Sequence, residues 1–195
     1  NNAGSQNTAM GMNSAYHTQG GNYNSAFGMS ALHLNQSGGE NTAIGVNALH
    51  GTKSSWNTAV GTNALAFNST GHSNVAIGTN AGTVHQDGTT ALTTTFGSIY
   101  IGASSRGFNN ADNNSIVIGT GAWGEGANTT VIGNGATVST HLYGQTISHS
   151  LKVNGSTVLN GSVILAAPQG DGTPAAAQRA AHPARRLGQA AHRSC

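Results

Sequence analysis

The most constraining feature of this chain is a glycine that returns eight times behind a large apolar residue. It stands at Gly11, Gly28, Gly45, Gly61, Gly78, Gly102, Gly119 and Gly133. The spacing is nearly constant, with one long interval between Gly78 and Gly102 and a shorter last one. A period this short, with no helical unit inside it, predicts a stacked β-structure in which each repeat forms one coil. It also argues against most enzyme folds.

Aligned on that glycine, the first five copies read Asn7-Thr-Ala-Met-Gly, Asn24-Ser-Ala-Phe-Gly, Asn41-Thr-Ala-Ile-Gly, Asn57-Thr-Ala-Val-Gly and Asn74-Val-Ala-Ile-Gly. The later copies read Ser98-Ile-Tyr-Ile-Gly, Asn114-Ser-Ile-Val-Ile-Gly and Asn128-Thr-Thr-Val-Ile-Gly. The residue before each glycine is always large and apolar: Met10, Phe27, Ile44, Val60, Ile77, Ile101, Ile118 and Ile132. Ala31, Ala48, Ala64, Ala81, Ala122 or Ala136 follows three residues after most of the glycines, and Leu32, Leu49 and Leu65 come directly behind.

A run such as Thr-Ala-Ile makes a strand of three or four residues, too short to survive alone. Stacked on its equivalent one coil away, it pairs at a separation of about 4.8 Å, and the apolar residue piles on its counterparts. Glycine at one fixed place implies a bend, or a close chain approach, that a Cβ would obstruct. Asn at the coil entrance suits a turn, and Asn stacked on Asn can form an amide ladder. Eight coils make a rod segment roughly 40 Å long. The polar linkers, such as Asn35-Gln-Ser-Gly-Gly-Glu and Asn68-Ser-Thr-Gly-His-Ser, are expected on the outside. The long interval holds an insertion around His85-Gln-Asp-Gly-Thr-Thr, which is expected to protrude.

Only 6% of the 195 residues are charged and 5% are aromatic. A coil this short encloses a thin core, built on the residue before each glycine and the small one ahead of it. One or two large side chains per turn hardly offset the ordering of so many residues. The missing burial points to an obligate homo-oligomer, a trimer with apolar faces turned to a common axis. The net charge of +2 hides an asymmetry: residues 1–173 balance to −2, and Arg179, Arg185, Arg186 and Arg193 all lie beyond them. The body offers no surface for tracking phosphates, which argues against nucleic-acid binding. The lone cysteine, Cys195, supplies no disulfide, zinc spacing or Cys/His catalytic arrangement. No hydrophobic run is long enough for membrane insertion and no signal peptide is visible, although a chain starting Asn-Asn-Ala without Met reads as a fragment of something longer.

Three regions follow. Residues 1–139 form the repeat array of about eight coils. Residues 140–167 carry Asn154-Gly155 and Asn160-Gly161 six residues apart behind β-prone pairs. Such pairs signal hairpins in isolation, but in a stacked chain the six-residue period favours a narrower, β-prism-like segment. Residues 168–195 switch to an Ala/Arg/His/Pro mixture without an apolar stripe and read as a disordered, low-complexity tail.

The Asn-Thr-Ala-Ile-Gly and Asn-Ser-Ile-Val-Ile-Gly units resemble two related families. One is the head of trimeric autotransporter adhesins, a trimeric left-handed parallel β-roll. The other is the repeat array of bacteriophage tail fibres, where Asn-Thr-Ala-Val-Gly-x-Asn-Ala-Leu units recur at about this period. Asn57-Thr-Ala-Val-Gly-Thr-Asn-Ala-Leu65 and Asn41-Thr-Ala-Ile-Gly-Val-Asn-Ala-Leu49 are similar to the second form, and so is the ending Ser139-Thr-His-Leu-Tyr-Gly. The autotransporter pattern has a shorter period than most of the intervals here, which favours the tail fibre. The resemblance covers residues 1–165 or so. It implies an all-β fold, a parallel β-roll or β-solenoid in an intertwined homotrimeric fibre, located in the virion or alternatively on a bacterial cell surface. Implied partners are other virion tail proteins and a host-surface glycan or protein; no cofactor is implied.

Candidate sites are few. His33 and His50 lie five residues after their glycines and should stack one coil apart, with His17 one position out of register. In a trimer they could form rings of three imidazoles able to hold a divalent cation. No His-x-His or His-x-x-x-His spacing supports that, and Ala66 and Thr83 at the same place favour plain outward positions. Asp87, Asp112 and Glu125 are isolated acids, expected to be solvated. A polysaccharide-cleaving spike would need two of them converging on a cleft, and the scarcity of acids argues for a non-enzyme. Tyr23, Trp56, Phe67, Phe108 and Trp123 sit in or beside the linkers, flanked by Asn and Ser. They are expected to seal subunit junctions, or else, with Trp56 and Trp123 foremost, to stack on sugar rings.

Overall fold

The structure is a computed structural model that describes residues 4–137, which fall in one compact unit. The β-prism-like segment expected over 140–167 and the tail expected over 168–195 lie outside the described residues.

Eight strands of three residues each stack in chain order into one parallel sheet: β1 Thr8–Met10, β2 Ser25–Phe27, β3 Thr42–Ile44, β4 Thr58–Val60, β5 Val75–Ile77, β6 Ile99–Ile101, β7 Ile116–Ile118 and β8 Thr130–Ile132. The result is a parallel β-solenoid of about seven turns. Equivalent repeat positions pair throughout, and in the early coils they are like residues, Ala26 with Ala43, Ala43 with Ala59 and Ala59 with Ala76. Coils also bond outside the strands: the Leu32, Leu49 and Leu65 amides donate to the Ala48, Ala64 and Ala81 carbonyls of the next coil at 2.9–3.0 Å.

Successive strand residues face opposite ways, and this corrects one expectation. From β2 to β7 the residue two before the glycine points inward, and Ala26, Ala43, Ala59, Ala76, Tyr100 and Val117 are fully buried. The large apolar residue just before the glycine points outward instead: Met10 is 66% exposed and Ile44 and Ile77 are each 42% exposed. The interior is completed by Ala31, Ala48, Ala64 and Ala81, with Leu32, Leu49 and Leu65 as the one large side chain in each of those coils. The linkers are less external than expected, since Thr18, Asn35, Thr52 and Asn68 are buried.

Three bends close each coil. Every non-glycine residue with positive φ falls five before, two after or four after the repeat glycine. Glycines Gly97, Gly121 and Gly82 take the same three places where the side chain is dispensed with. The left-handed conformation costs a non-glycine residue roughly 1–2 kcal/mol. Asn tolerates it best, which suits Asn13, Asn47, Asn63 and Asn80. Leu32, Leu49 and Leu65 adopt it because complete burial of a leucine returns about 1.5–3 kcal/mol.

The repeat glycines bear the close approach. Gly45 has φ +133°, and a Cβ built there would lie 2.6 Å from the carbonyl carbon and oxygen of Gly61. The entrance Asn forms the left-handed turn only in later copies, at Asn114 and Asn128 with φ 54° and 61°; Asn24, Asn41, Asn57 and Asn74 do not. The buried side chains of these four form a ladder: Asn24, Asn41, Asn57 and Asn74 Oδ1 accept the backbone N–H of Asn41, Asn57, Asn74 and Ser98 at 2.9–3.1 Å. Each Nδ2 also reaches a linker carbonyl across the coil, as Asn24 does to Gly38 and Asn74 to Thr95.

The insertion reorganises the fifth coil. Val84 and Ala91 bridge in antiparallel fashion, and Gln86 to Thr90 are exposed at the tip of a protruding hairpin, as the sequence predicts. Next to it, Tyr100 takes the place of an inward alanine while Gly82 takes that of an inward leucine. The tyrosine ring occupies the room the leucine gives up, since a Cβ on Gly82 would lie 2.8 Å from Tyr100 Cδ2.

Candidate functional site

The outward residues of the sheet form one surface. Met10, Phe27, Ile44, Val60, Ile77, Ile101, Ile118 and Ile132 run down it in a single column, and Val75, Ile99 and Ile116 stand beside them where Thr or Ser occupies the early coils. With three-residue strands about 4.8 Å apart, the strip is roughly 10 Å wide and 34 Å long. An apolar strip of several hundred Å² is at the upper limit for a monomer and marks an interaction surface.

A second surface lies beyond the glycine bend. The Tyr16 and His33 rings stack at 5.7 Å, and His33 and His50 at 5.1 Å with only 8° between planes. His17 meets His33 edge-on at 5.2 Å, one position out of register. Parallel imidazoles face each other through their π-faces, so their ring nitrogens do not converge on one point. Among the described residues no three His, Cys, Asp or Glu side chains are placed to hold a metal. Burial, and next the positive charge His33 can carry, pull the His50 pKa below its ordinary value of 6.5. The neutral ring is therefore the folded form, and its contribution to stability is present above pH 6.5 and lost as pH falls through the lowered midpoint. In a proton NMR titration the His50 midpoint should fall below 6.5, and His33→Ala should move it upward; an unchanged midpoint would rule out the coupling.

Alongside the rings runs a half-buried amide ladder in which Asn47 Nδ2 donates to Asn63 Oδ1 at 3.2 Å and Asn63 Nδ2 to Asn80 Oδ1 at 3.0 Å. Where the ring column stops, a cleft of about 550 Å³ opens. Its lining includes Asn63, Asn80, His50, Phe67 and Arg106. Phe67 is 53% exposed. The Arg106 guanidinium closes one end, held by the hairpin through a 3.5 Å bond to the Gln86 carbonyl. Sequence reading did not assemble this cleft, because Arg106 reaches it only through the coil bridge to Trp123 and the packing of the 84–91 hairpin.

Trp56 and Trp123 are not brought together. Trp56 precedes β4, is exposed, and meets His72 edge-on at 6.5 Å, with Phe96 stacked on His72 at 5.4 Å. Trp123 lies between β7 and β8 and lines a separate cavity of about 290 Å³ with Glu125 and Asn134.

The acids are kept apart. The Asp87 carboxylate accepts bonds from the Thr90 hydroxyl and the Thr89 and Thr90 amides at 2.6–2.9 Å, which hold its pKa well below the usual range. Asp112, expected to be solvated, is fully buried: Oδ2 accepts from the Phe108 amide at 3.0 Å and faces the Tyr100 hydroxyl at 3.4 Å. Burial, and then the charge of Asp112, push that hydroxyl up to about 12. Neither described cavity is lined by two carboxylates.

In comparison with known proteins, no family model, no curated sequence and no solved structure matches this chain, so its function is read from these surfaces and the repeat itself.

Proposed function

We propose that this chain is a structural and adhesive segment of a fibre of the bacteriophage tail-fibre kind, a homotrimer that projects or mediates attachment to a host surface. The observation that supports this reading is the apolar column on the outside of the sheet. It extends over all eight strands, and the solenoid interior, with its single leucine in each early coil, gives those side chains no place. Three copies with these strips turned to a common axis would cover them and supply the burial that one thin coil lacks. Attachment then works through multivalency: each weak contact is presented in triplicate, and avidity rises without a deep site. Partners are the neighbouring tail proteins and a glycan or protein of the host surface.

Sedimentation equilibrium on the full chain tests the assembly, with three chains per particle expected and a stable folded monomer sinking it. The Ile44→Lys/Ile77→Lys double variant should lose the trimer, because two exposed positions of the strip would become charges buried against their own symmetry copies. Immunogold labelling with an antibody to the chain tests the location. Label on phage tails fits the proposal, and label on bacterial surfaces would move the chain to the adhesin heads.

A further inference from the structure

The cleft beside Arg106 has the chemistry of a binding site, and the repeat shows why it exists. At the place five residues after the glycine, successive coils carry Tyr16, His33, His50, Ala66 and Thr83. Rings fill the first three and stack at 5.7 and 5.1 Å. Ala66 and Thr83 are small, so the stack ends there and both residues line the cleft. Among the described residues, the His50 face towards Ala66 has no ring against it. Phe67 adds an exposed apolar wall.

Two polar features converge on the same space. Asn47 spends one N–H in the ladder, Asn80 one oxygen lone pair and Asn63 one of each, which leaves further hydrogen-bonding capacity on all three. At the far end, Arg106 makes one long bond to a carbonyl and has no carboxylate partner among the described residues. The acid on the same hairpin, Asp87, is occupied by Thr89 and Thr90. Gly88 packs on the guanidinium so closely that a Cβ there would lie 2.9 Å from Nη1, which keeps the charge in the cleft.

We propose that this cleft binds a carboxylated saccharide. The sugar faces rest on His50 and Phe67, the hydroxyls bond to the Asn63 and Asn80 amides, and the carboxylate pairs with Arg106, whose planar fork suits it bidentately. His50 and Arg106 are three coils apart, roughly 14 Å at the strand spacing, so the cleft takes more than one ring. A volume of about 550 Å³ lies within the range of small-molecule sites. All of these residues belong to one chain, so the site stands or falls separately from the trimer. Stoichiometry reads the assembly and the variants below read the cleft.

The test is calorimetric titration of the full chain with tetragalacturonate, a sialylated trisaccharide and neutral maltotetraose. At least one acidic probe should bind, at least tenfold more tightly than the neutral one. Arg106→Gln should weaken that probe at least tenfold and remove its advantage. Ala66→Phe should block it by extending the ring column into the cleft, at a register where coils already accept His33 and His50. Lys53→Gln, which changes a cation outside the cleft lining, should leave binding unchanged. The proposal is overturned if neither acidic probe binds or if binding survives both cleft variants. Equal affinity for a sulfated, carboxylate-free galactan tetrasaccharide would also overturn it, because the site would then read charge rather than a carboxylate.

Discussion

Gly45→Ala should unfold the central coils. The residue sits at φ +133°, a conformation alanine adopts only under strain of about 1–3 kcal/mol. Strain is the smaller part. The new methyl would lie 2.6 Å from the Gly61 carbonyl, and that neighbour is backbone held in register by strand pairing on both sides, so it cannot swing away. The coils would have to separate locally, breaking the hydrogen bonds from the Thr42 and Gly61 amides that tie β3 to β4. Against a total stability of about 5–15 kcal/mol for a domain, a loss of about 3 kcal/mol or more should remove the cooperative transition or lower it by many degrees. Circular dichroism melting reads this directly. Gly97→Ala is the matched control: it too has positive φ, +64°, yet a Cβ there meets nothing within 4 Å. It should cost about 1 kcal/mol. Equal melting of the two variants would show that close approach is not what the repeat glycine supplies.

Asn57→Leu ranks second. The side chain is near leucine in size and fully buried, so packing is nearly conserved while hydrogen bonding is lost. Oδ1 accepts from the Asn74 amide and side chain at 3.1 and 3.2 Å, and Nδ2 reaches the Gly71 carbonyl at 3.0 Å and Asn41 Oδ1 at 3.3 Å. Leucine would strand the Asn74 N–H inside the coil, while the Gly71 carbonyl keeps the Ser54 hydroxyl and the Asn68 amide as donors. One orphaned buried group costs about 1–3 kcal/mol, and a loss of that size is expected. Asn63→Leu breaks a ladder of the same spacing, but at a partly open surface where water replaces the lost partners. It should cost under about 1 kcal/mol. Urea titrations of the two variants give the comparison, and similar midpoints would mean that the inner ladder adds nothing to stability.

The ladder also shows what could be read in advance. Stacking of Asn on Asn was legible from the constant spacing. That Asn24, Asn41, Asn57 and Asn74 are interior, while Asn114 and Asn128 form turns, was not. The interior side chains bond across the coil to Gly38, Gly71 or Thr95, and the linkers that supply those carbonyls vary in sequence. The actual turn formers were visible as Asn47, Asn63 and Asn80, but Trp56, Glu40 and Leu49 adopt the same left-handed conformation with no sequence mark. Asp112 reads as a loop acid on composition. It is buried because Tyr100, standing where earlier coils carry alanine, brings a hydroxyl to meet it.

The glycine period is enough to set the number and order of strands, their parallel pairing, the register and the stacking of His33 on His50. A periodic chain carries that information because equivalent residues must repeat at equal heights along the axis. Which residues face inward is a property of the closed coil. A strand of three residues has two faces, and the Thr-Ala-Ile pattern is apolar enough on either one to leave the choice open. Coil closure settles it, since the enclosed space admits alanine and a single leucine per turn, and the larger residue before each glycine is left outside. The cleft beside Arg106 arises in the same way, from a hairpin and two small residues that come together only when the coils are stacked.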